Sequence, residues 1–246
     1  MGLIYGINPV HEAIVSGKTI NKLYGSKGSK EVYELLKLAK AKGVVTVEAE
    51  KIKLDKMITP EDEKLKNSQG VVASVTDYEY YEIEDILEYA SSKGEKPFIV
   101  VLDKIEDPHN LGAIIRSAEC MGVHGIIIQK RNACQITDIV EKTAAGAVNY
   151  MRVARVTNIT RAIEKLKEAG LWIYGLDMEG ATTIYNTDLT GAIGIVVGNE
   201  GVGLSRLVKE SCDGIIKIPM VGKTESLNAS VSTAITIYEI MRQNKI

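Results

Sequence analysis

Five short apolar runs mark the chain between residues 98 and 218: Phe98 to Leu102, Gly125 to Ile128, Leu171 to Leu176, Ile193 to Val197 and Ile215 to Ile218. An unbroken apolar run of this length is typical of a strand covered on both faces. The stretches between them follow helical rather than alternating spacing, and a helix is predicted from Gly112 to Met121. Another opens near Ser226 and repeats its apolar positions at Val231, Ala234, Ile235 and Tyr238. Strands alternating with helices predict a parallel sheet with helices on both sides, in which ligands sit beyond the carboxyl ends of the strands.

The first 76 residues read differently. Asn8-Pro9 resembles an N-cap followed by proline at the first helical position, opening a short helix through Val15. A short strand at Lys22 to Gly25 is followed by a helix starting at Ser29, with an apolar stripe of Val32, Leu35, Leu36 and Ala39 that ends at Gly43. Val44 to Val47 and the run after Gly70 read as strands, and polar residues 60–69 as an exposed loop. The expected organisation is therefore a small α/β domain over 1–76, a linker at 77–83 (DYEYYEI) and a larger α/β domain over 84–246, with no internal repeat.

Composition narrows the classes. At 45% apolar residues the chain can bury a core, and a net charge of −2 neither demands nor excludes a nucleic-acid partner. The charge is uneven. Residues 1–76 hold 12 Lys against nine acids, whereas every Arg lies at or beyond Arg116. Cys120, Cys134 and Cys212 are far apart, as are His11, His109 and His124, so neither a disulfide framework nor a metal site is expected. No apolar run reaches membrane length and no signal peptide is evident, so a cytoplasmic protein is expected.

Three strand ends concentrate candidate chemistry. After Leu102 comes DKIEDPHNLGAIIRSAE, with Asn110, Gly112 and Arg116. Asn110 alone would read as a helix N-cap. Arg116, on a helix otherwise suited to burial, would snorkel, pair with Glu119 or Glu200, or clamp a phosphate or ribose. After Val197 comes GNEGVG, whose third position, Glu200, is glycine in a dinucleotide fingerprint; a carboxylate there would repel a pyrophosphate. The third stretch, IPMVGKTESLNAS, contains a Gly-Lys-Thr that imitates a phosphate loop. The glycine that loop requires five residues earlier is Lys217, within a strand, which rules the loop out. Ser226 or Asn228 would simply cap the last helix.

Taken in order, Asn-x-Gly-x-x-x-Arg, Gly-x-Glu-x-x-Gly and Ser-Leu-Asn-x-Ser resemble the three motifs of the SpoU/TrmH family of RNA ribose methyltransferases. IYGINPVHEAI and QGVVA resemble the small substrate-binding domain of its RlmB-type members, so the likeness spans nearly the whole chain. Ser68 stands where the family often has His, and Ala229 where Val is common. The resemblance implies a SPOUT α/β domain with a trefoil knot and S-adenosylmethionine as cofactor. It also implies a homodimer that contacts RNA with both subunits, and no metal. The cofactor would be held by Leu176, by Gly198, Asn199, Glu200 and Gly203, and by Ile218, Met220, Ser226, Leu227 and Asn228. Such a cofactor carries no phosphate, so Glu200 is no obstacle.

The implied reaction moves a methyl group from sulfonium to a ribose 2′-hydroxyl, with Asn110, Arg116, Glu200, Ser226 and Asn228 as its catalytic set. Guanidinium is always protonated, so Arg116 would hold a phosphate and stabilise the developing alkoxide rather than act as base. Glu200 would brace the site by pairing with Arg116 or orienting Asn110. The expected target is a guanosine of large-subunit ribosomal RNA, with transfer RNA the nearest alternative. A non-catalytic RNA-binding or ribosome-assembly protein is the second class. A dinucleotide-dependent oxidoreductase is disfavoured by Glu200.

Overall fold

The computed structural model describes residues 2–16, 18–59, 65–75, 78–199, 201–223 and 226–244. The chain divides into two units, Met1–Glu79 and Tyr80–Ile246.

The first unit runs β1 (Gly2–Tyr5), α1 (Ile7–Val15), β2 (Ile20–Gly25), α2 (Lys30–Ala41), β3 (Val45–Glu48), α3 (Lys51–Met57) and β4 (Val71–Val75). Its sheet has the order β1-β4-β2-β3, with β4 antiparallel to both neighbours and β2 parallel to β3. Helices α1 and α2 bury Val10, Ala13, Ile14, Val32, Leu35 and Ala39 against Leu23, Val71, Ala73 and Val75. The opposite face is packed by α3, through Leu54 against Val72.

One local reading changes and one holds. Asn8 is not the cap of α1: the helix begins after Gly6, and the Ile7 N–H donates to Gln69 Oε1 at 2.9 Å. Ser29 does cap α2, accepting from the Val32 N–H at 3.3 Å. Helix α3 has no counterpart in the sequence reading. Only part of the predicted 60–69 loop is described, because residues 60–64 lie outside the described residues.

The second unit runs α4 (Ile83–Ser92), β5 (Phe98–Asp103), α5 (Pro108–Cys120), β6 (Gly125–Gln129), α6 (Asp138–Thr143), β7 (Arg152–Val156), α7 (Ile159–Glu168), β8 (Trp172–Leu176), β9 (Thr182–Thr183), β10 (Ile193–Gly198), α8 (Arg206–Ser211), β11 (Gly214–Lys217) and α9 (Ala229–Asn244). Its sheet is parallel throughout, in the order β7-β6-β5-β10-β8-β11-β9. Helices α4, α7 and α8 bury Ile86, Ile163, Leu166 and Val208 against Ile99, Val101, Ile127 and Val196. The alternate strand residues Val100, Leu102, Ile126 and Ile195 are equally buried. Burial of both sets explains the unbroken apolar runs. Among the described residues no helix is long and apolar enough to cross a membrane.

The segment read as a linker over 77–83 is in part built into this unit. The Tyr80 hydroxyl accepts from the Ile136 N–H at 2.9 Å, and the Arg155 guanidinium lies 4.3 Å from the Tyr80 ring centre. Burial pushes the Tyr80 phenol up to about 12. Tyr81 bridges to Ala154, and Ile83 already begins α4. For Tyr80 the packing role favoured by the sequence is the one it has, whereas Tyr81 remains exposed.

Candidate functional site

Strand register sets the stage. Gly198 on β10 lies opposite Asp103 on β5, Val197 opposite Leu176 on β8, and Leu176 opposite Ile216 on β11. The carboxyl ends of four neighbouring strands are thus level, and the loops leaving them converge.

The turn after β10 folds back on itself. The Gly203 N–H donates to the Asn199 carbonyl at 2.7 Å, and the Gly201 N–H to Asn199 Oδ1 at 2.9 Å. Asn199 Nδ2 donates to the Lys104 carbonyl at 3.1 Å, tying the turn to the end of β5. A side chain at Gly198 would place its Cβ 2.3 Å from the Gly203 carbonyl carbon, and Gly203 itself has a φ of +70°. Glycine at these two positions is demanded by backbone packing. Glu200 lies outside the described residues, and so does its expected pairing with Arg116 or Asn110.

Around this turn is a cavity of about 500 Å³. Eight of the residues expected to hold the cofactor line it: Leu176, Gly198, Asn199, Gly203, Ile218, Met220, Ser226 and Leu227. Asn228 is not among the lining residues, although its neighbours Leu227 and Ala229 are.

Asp177, Glu179 and Lys209 also line the cavity, and the sequence reading missed them. Asp177 joins two segments. It accepts from the Glu179 N–H in its own loop at 3.1 Å and from the Lys209 ammonium on α8 at 2.8 Å. Burial opposes its ionisation, but the Lys209 and Glu179 hydrogen bonds outweigh that and hold its carboxyl below the usual aspartate range. The same Asp177 contact raises the Lys209 ammonium above its ordinary value. Asp103 makes a similar tie, accepting from the Ser205 N–H at 2.9 Å ahead of α8. None of these residues belongs to a recognisable spacing. An acid directly after a strand end was the only available signal.

The candidate catalytic residues fall into two groups. Asn110 does not cap α5; Asp107 does, accepting from the His109 N–H at 3.0 Å, and Pro108 opens the helix. Asn110 therefore sits one turn inside and is buried. Asn228 Nδ2 donates to Asn110 Oδ1 at 2.9 Å, while Asn228 Oδ1 accepts from the Ser230 N–H at 2.9 Å and the Ser230 hydroxyl at 2.6 Å. One side chain thus caps α9 and fixes Asn110 118 residues away. The plain capping role for Asn228 and the orienting role coexist. Gly112 lets α6 approach: a Cβ there would meet Thr143 Cβ at 2.5 Å.

Arg116 is exposed on α5, with no ion pair to Glu119 or any other described residue. Six residues separate it from Asn110, about 9 Å along the helix axis. An unneutralised guanidinium presented to solvent can receive a phosphate.

The fold and cavity define an α/β protein with a cavity of small-molecule size at the carboxyl ends of a parallel sheet, near a buried Asn110 bonded to an exposed Asn228 and an exposed Arg116 with no ion pair among the described residues. Residues 97–238 match the SpoU rRNA methylase family, and residues 3–81 match the RNA 2′-O ribose methyltransferase substrate-binding domain. The chain belongs to the SpoU family. It is 41% identical over 242 residues to YacO of Bacillus subtilis, assigned to the TrmH family of tRNA/rRNA methyltransferases, covering 98% of this chain and 95% of that one. It also resembles the SpoU methyltransferase AviRb of Streptomyces viridochromogenes, solved with S-adenosylmethionine: TM-score 0.60, 26% identity, 98% of this chain and 89% of AviRb. The TrmH/SpoU tRNA-modifying enzyme of A. aeolicus aligns over 61% of this chain and 76% of its own, with TM-score 0.56 and 31% identity.

S-adenosylmethionine is the family's cofactor, and the cavity fits it. Its volume lies in the range of small-molecule sites, about 300–1,000 Å³. Its wall combines apolar side chains with backbone exposed at glycines, and among the described lining residues two carboxylates, Asp177 and Glu179, outnumber the one ammonium, Lys209, that pairs with both, a balance that does not favour a phosphate.

Proposed function

We propose that this protein transfers a methyl group from S-adenosylmethionine to a ribose 2′-hydroxyl of RNA, at a guanosine of large-subunit ribosomal RNA, in the cytoplasm. The observation that carries this reading is the Asn228–Asn110 hydrogen bond. It ties the start of α9, next to the cavity, to the helix that bears Arg116. The cofactor supplies an electrophilic methyl on a sulfonium. The chain supplies position and charge. Leu176, Gly198, Asn199, Gly203, Ile218, Met220, Leu227 and, outside the described residues, Glu200 would enclose the cofactor. Ser226, Asn110 and Asn228 would orient the nucleotide so that its hydroxyl lies in line with the departing sulfur, where alignment accounts for much of the rate. Arg116 would bind the adjacent phosphate and stabilise negative charge growing on the 2′-oxygen.

The substrate-binding domain match over residues 3–81 supports an RNA substrate, and the ribosomal target rests on the resemblance to RlmB-type members. The working form would be a homodimer. Val231, Ile235 and Tyr238 form an exposed apolar stripe on α9 that a second copy would cover.

Incubation with labelled S-adenosylmethionine and unmodified ribosomal RNA or transfer RNA, followed by nucleoside analysis, tests the proposal. The expected product is 2′-O-methylguanosine in ribosomal RNA only. Label confined to transfer RNA would move the target, and cofactor binding without transfer to either RNA would favour a non-catalytic assembly protein.

A further inference from the structure

The outer surface of α3 differs in charge pattern from that of α2. Its sequence is KIKLDKM. Leu54 and Asp55 are buried, and Lys51, Ile52, Lys53, Lys56 and Met57 are exposed. Residues four apart are neighbours on a helix. The outside therefore carries two adjacent columns, Ile52 with Lys56 and Lys53 with Met57, each pairing one apolar side chain with one ammonium. Leu65, from the segment leading to β4, is also exposed, at 55%.

The helix's one acid is withdrawn from this surface. Asp55 Oδ1 accepts from both the N–H and the hydroxyl of buried Ser68. The Ser68 hydroxyl holds the Asp55 carboxyl below the usual aspartate range. Helix α2 is the internal contrast. Its exposed Lys30, Lys37 and Lys40 share the surface with exposed Glu31 and Glu34, so phosphates would meet mixed charge there.

We propose that the exposed face of α3 is where the first unit contacts RNA, with Lys53 and Lys56 on phosphates and Ile52 and Met57 against ribose or base faces. The proposal rests on the methyltransferase reading above and adds the surface through which substrate is held. Lysines on phosphates position a nucleic acid without selecting sequence, and unpaired RNA offers apolar base faces beside its phosphates. Ile52 is 64% exposed and Met57 40% exposed, so both present apolar surface to solvent. An anionic membrane would satisfy the same charges. However, seven residues span only about 10 Å, and their inward side is already occupied by the contact with Val72.

The test uses the full chain and compares Lys53→Glu/Lys56→Glu with Lys37→Glu/Lys40→Glu on α2. Affinities for in vitro transcribed ribosomal RNA and for S-adenosylmethionine are measured together with thermal unfolding, and Lys53→Gln/Lys56→Gln covers the case in which charge reversal impairs folding. The α3 pair is expected to weaken RNA binding at least tenfold or so. It should make the dependence of log affinity on log salt shallower by about 1.4–1.8, with cofactor affinity unchanged and the α2 pair close to wild type. RNA binding unaltered by the α3 variants, or lowered equally by the α2 pair, overturns the proposal while leaving the methyltransferase reading intact. Wild-type protein that binds neither ribosomal nor transfer RNA removes both. Lysine-dependent binding to phosphatidylserine vesicles without RNA binding would assign the face to membranes and overturn it as well.

Discussion

The two halves of the site are built by different means. The cofactor cavity is largely a backbone construction, in which glycines at 198 and 203 let the turn close. The proposed catalytic end is a side-chain construction: Asn110 held by Asn228, and Arg116 held by nothing among the described residues. A backbone-built wall fails when a single atom is added. A side-chain-built one loses function in steps, one hydrogen bond or charge at a time. The two halves should therefore separate under mutation.

The largest effect is expected at the cavity. Gly198→Ala drives a Cβ into the Gly203 backbone at 2.3 Å, and S-adenosylmethionine binding by calorimetry should become undetectable. Arg116→Ala should come next, slowing methyl transfer by about 10²–10³-fold, the scale for losing one transition-state charge partner, with cofactor affinity unchanged. Asn228→Ala removes a cap worth about 1 kcal/mol and frees Asn110. A lower melting temperature should accompany roughly tenfold slower transfer, and a variant that lost stability alone would reduce the asparagine pair to a structural device.

The smallest effect should fall on the Asp177 tie. Its carboxyl titrates lower in the folded protein than in the unfolded chain. Its contribution is therefore complete above the unfolded value and is lost as pH falls through the folded one. Asp177→Asn should raise the KM for S-adenosylmethionine a few-fold with kcat unchanged near neutrality. Its melting temperature should approach that of wild type as the solution is acidified. A kcat loss with KM unchanged would place Asp177 with the catalytic end instead.

What could be read from the sequence follows the same division. Buried strands and glycine turns leave marks in sequence, since a strand covered on both faces must be apolar and a closed turn must omit side chains. Gly198 and Gly203 were legible for that reason; Leu176, Asn199, Ile218, Met220, Ser226 and Leu227 were reached through the motif resemblance, and Asp177, Glu179 and Lys209 are among the lining residues that were missed. Lys209 reaches Asp177 and Glu179 across 30 or more positions, ordinary acids and a lysine with no local pattern to reveal them. The start of α5 was misread because Asn110 is as good a cap as Asp107, and only the proline between them marks the true first turn. Helix α3 escaped because seven residues with Leu54 as their apolar anchor are too few for periodicity to register.

The most direct measurement is S-adenosylmethionine titration and single-turnover methyl transfer to unmodified RNA, run side by side on wild type, Gly198→Ala and Arg116→Ala. The account predicts that Gly198→Ala loses both activities, and that Arg116→Ala binds cofactor like wild type while transferring at least a hundredfold or so more slowly. Cofactor affinity that collapses in Arg116→Ala, or transfer that persists in it at the wild-type rate, would contradict the division of the site into a backbone-built cavity and a side-chain-built catalytic end.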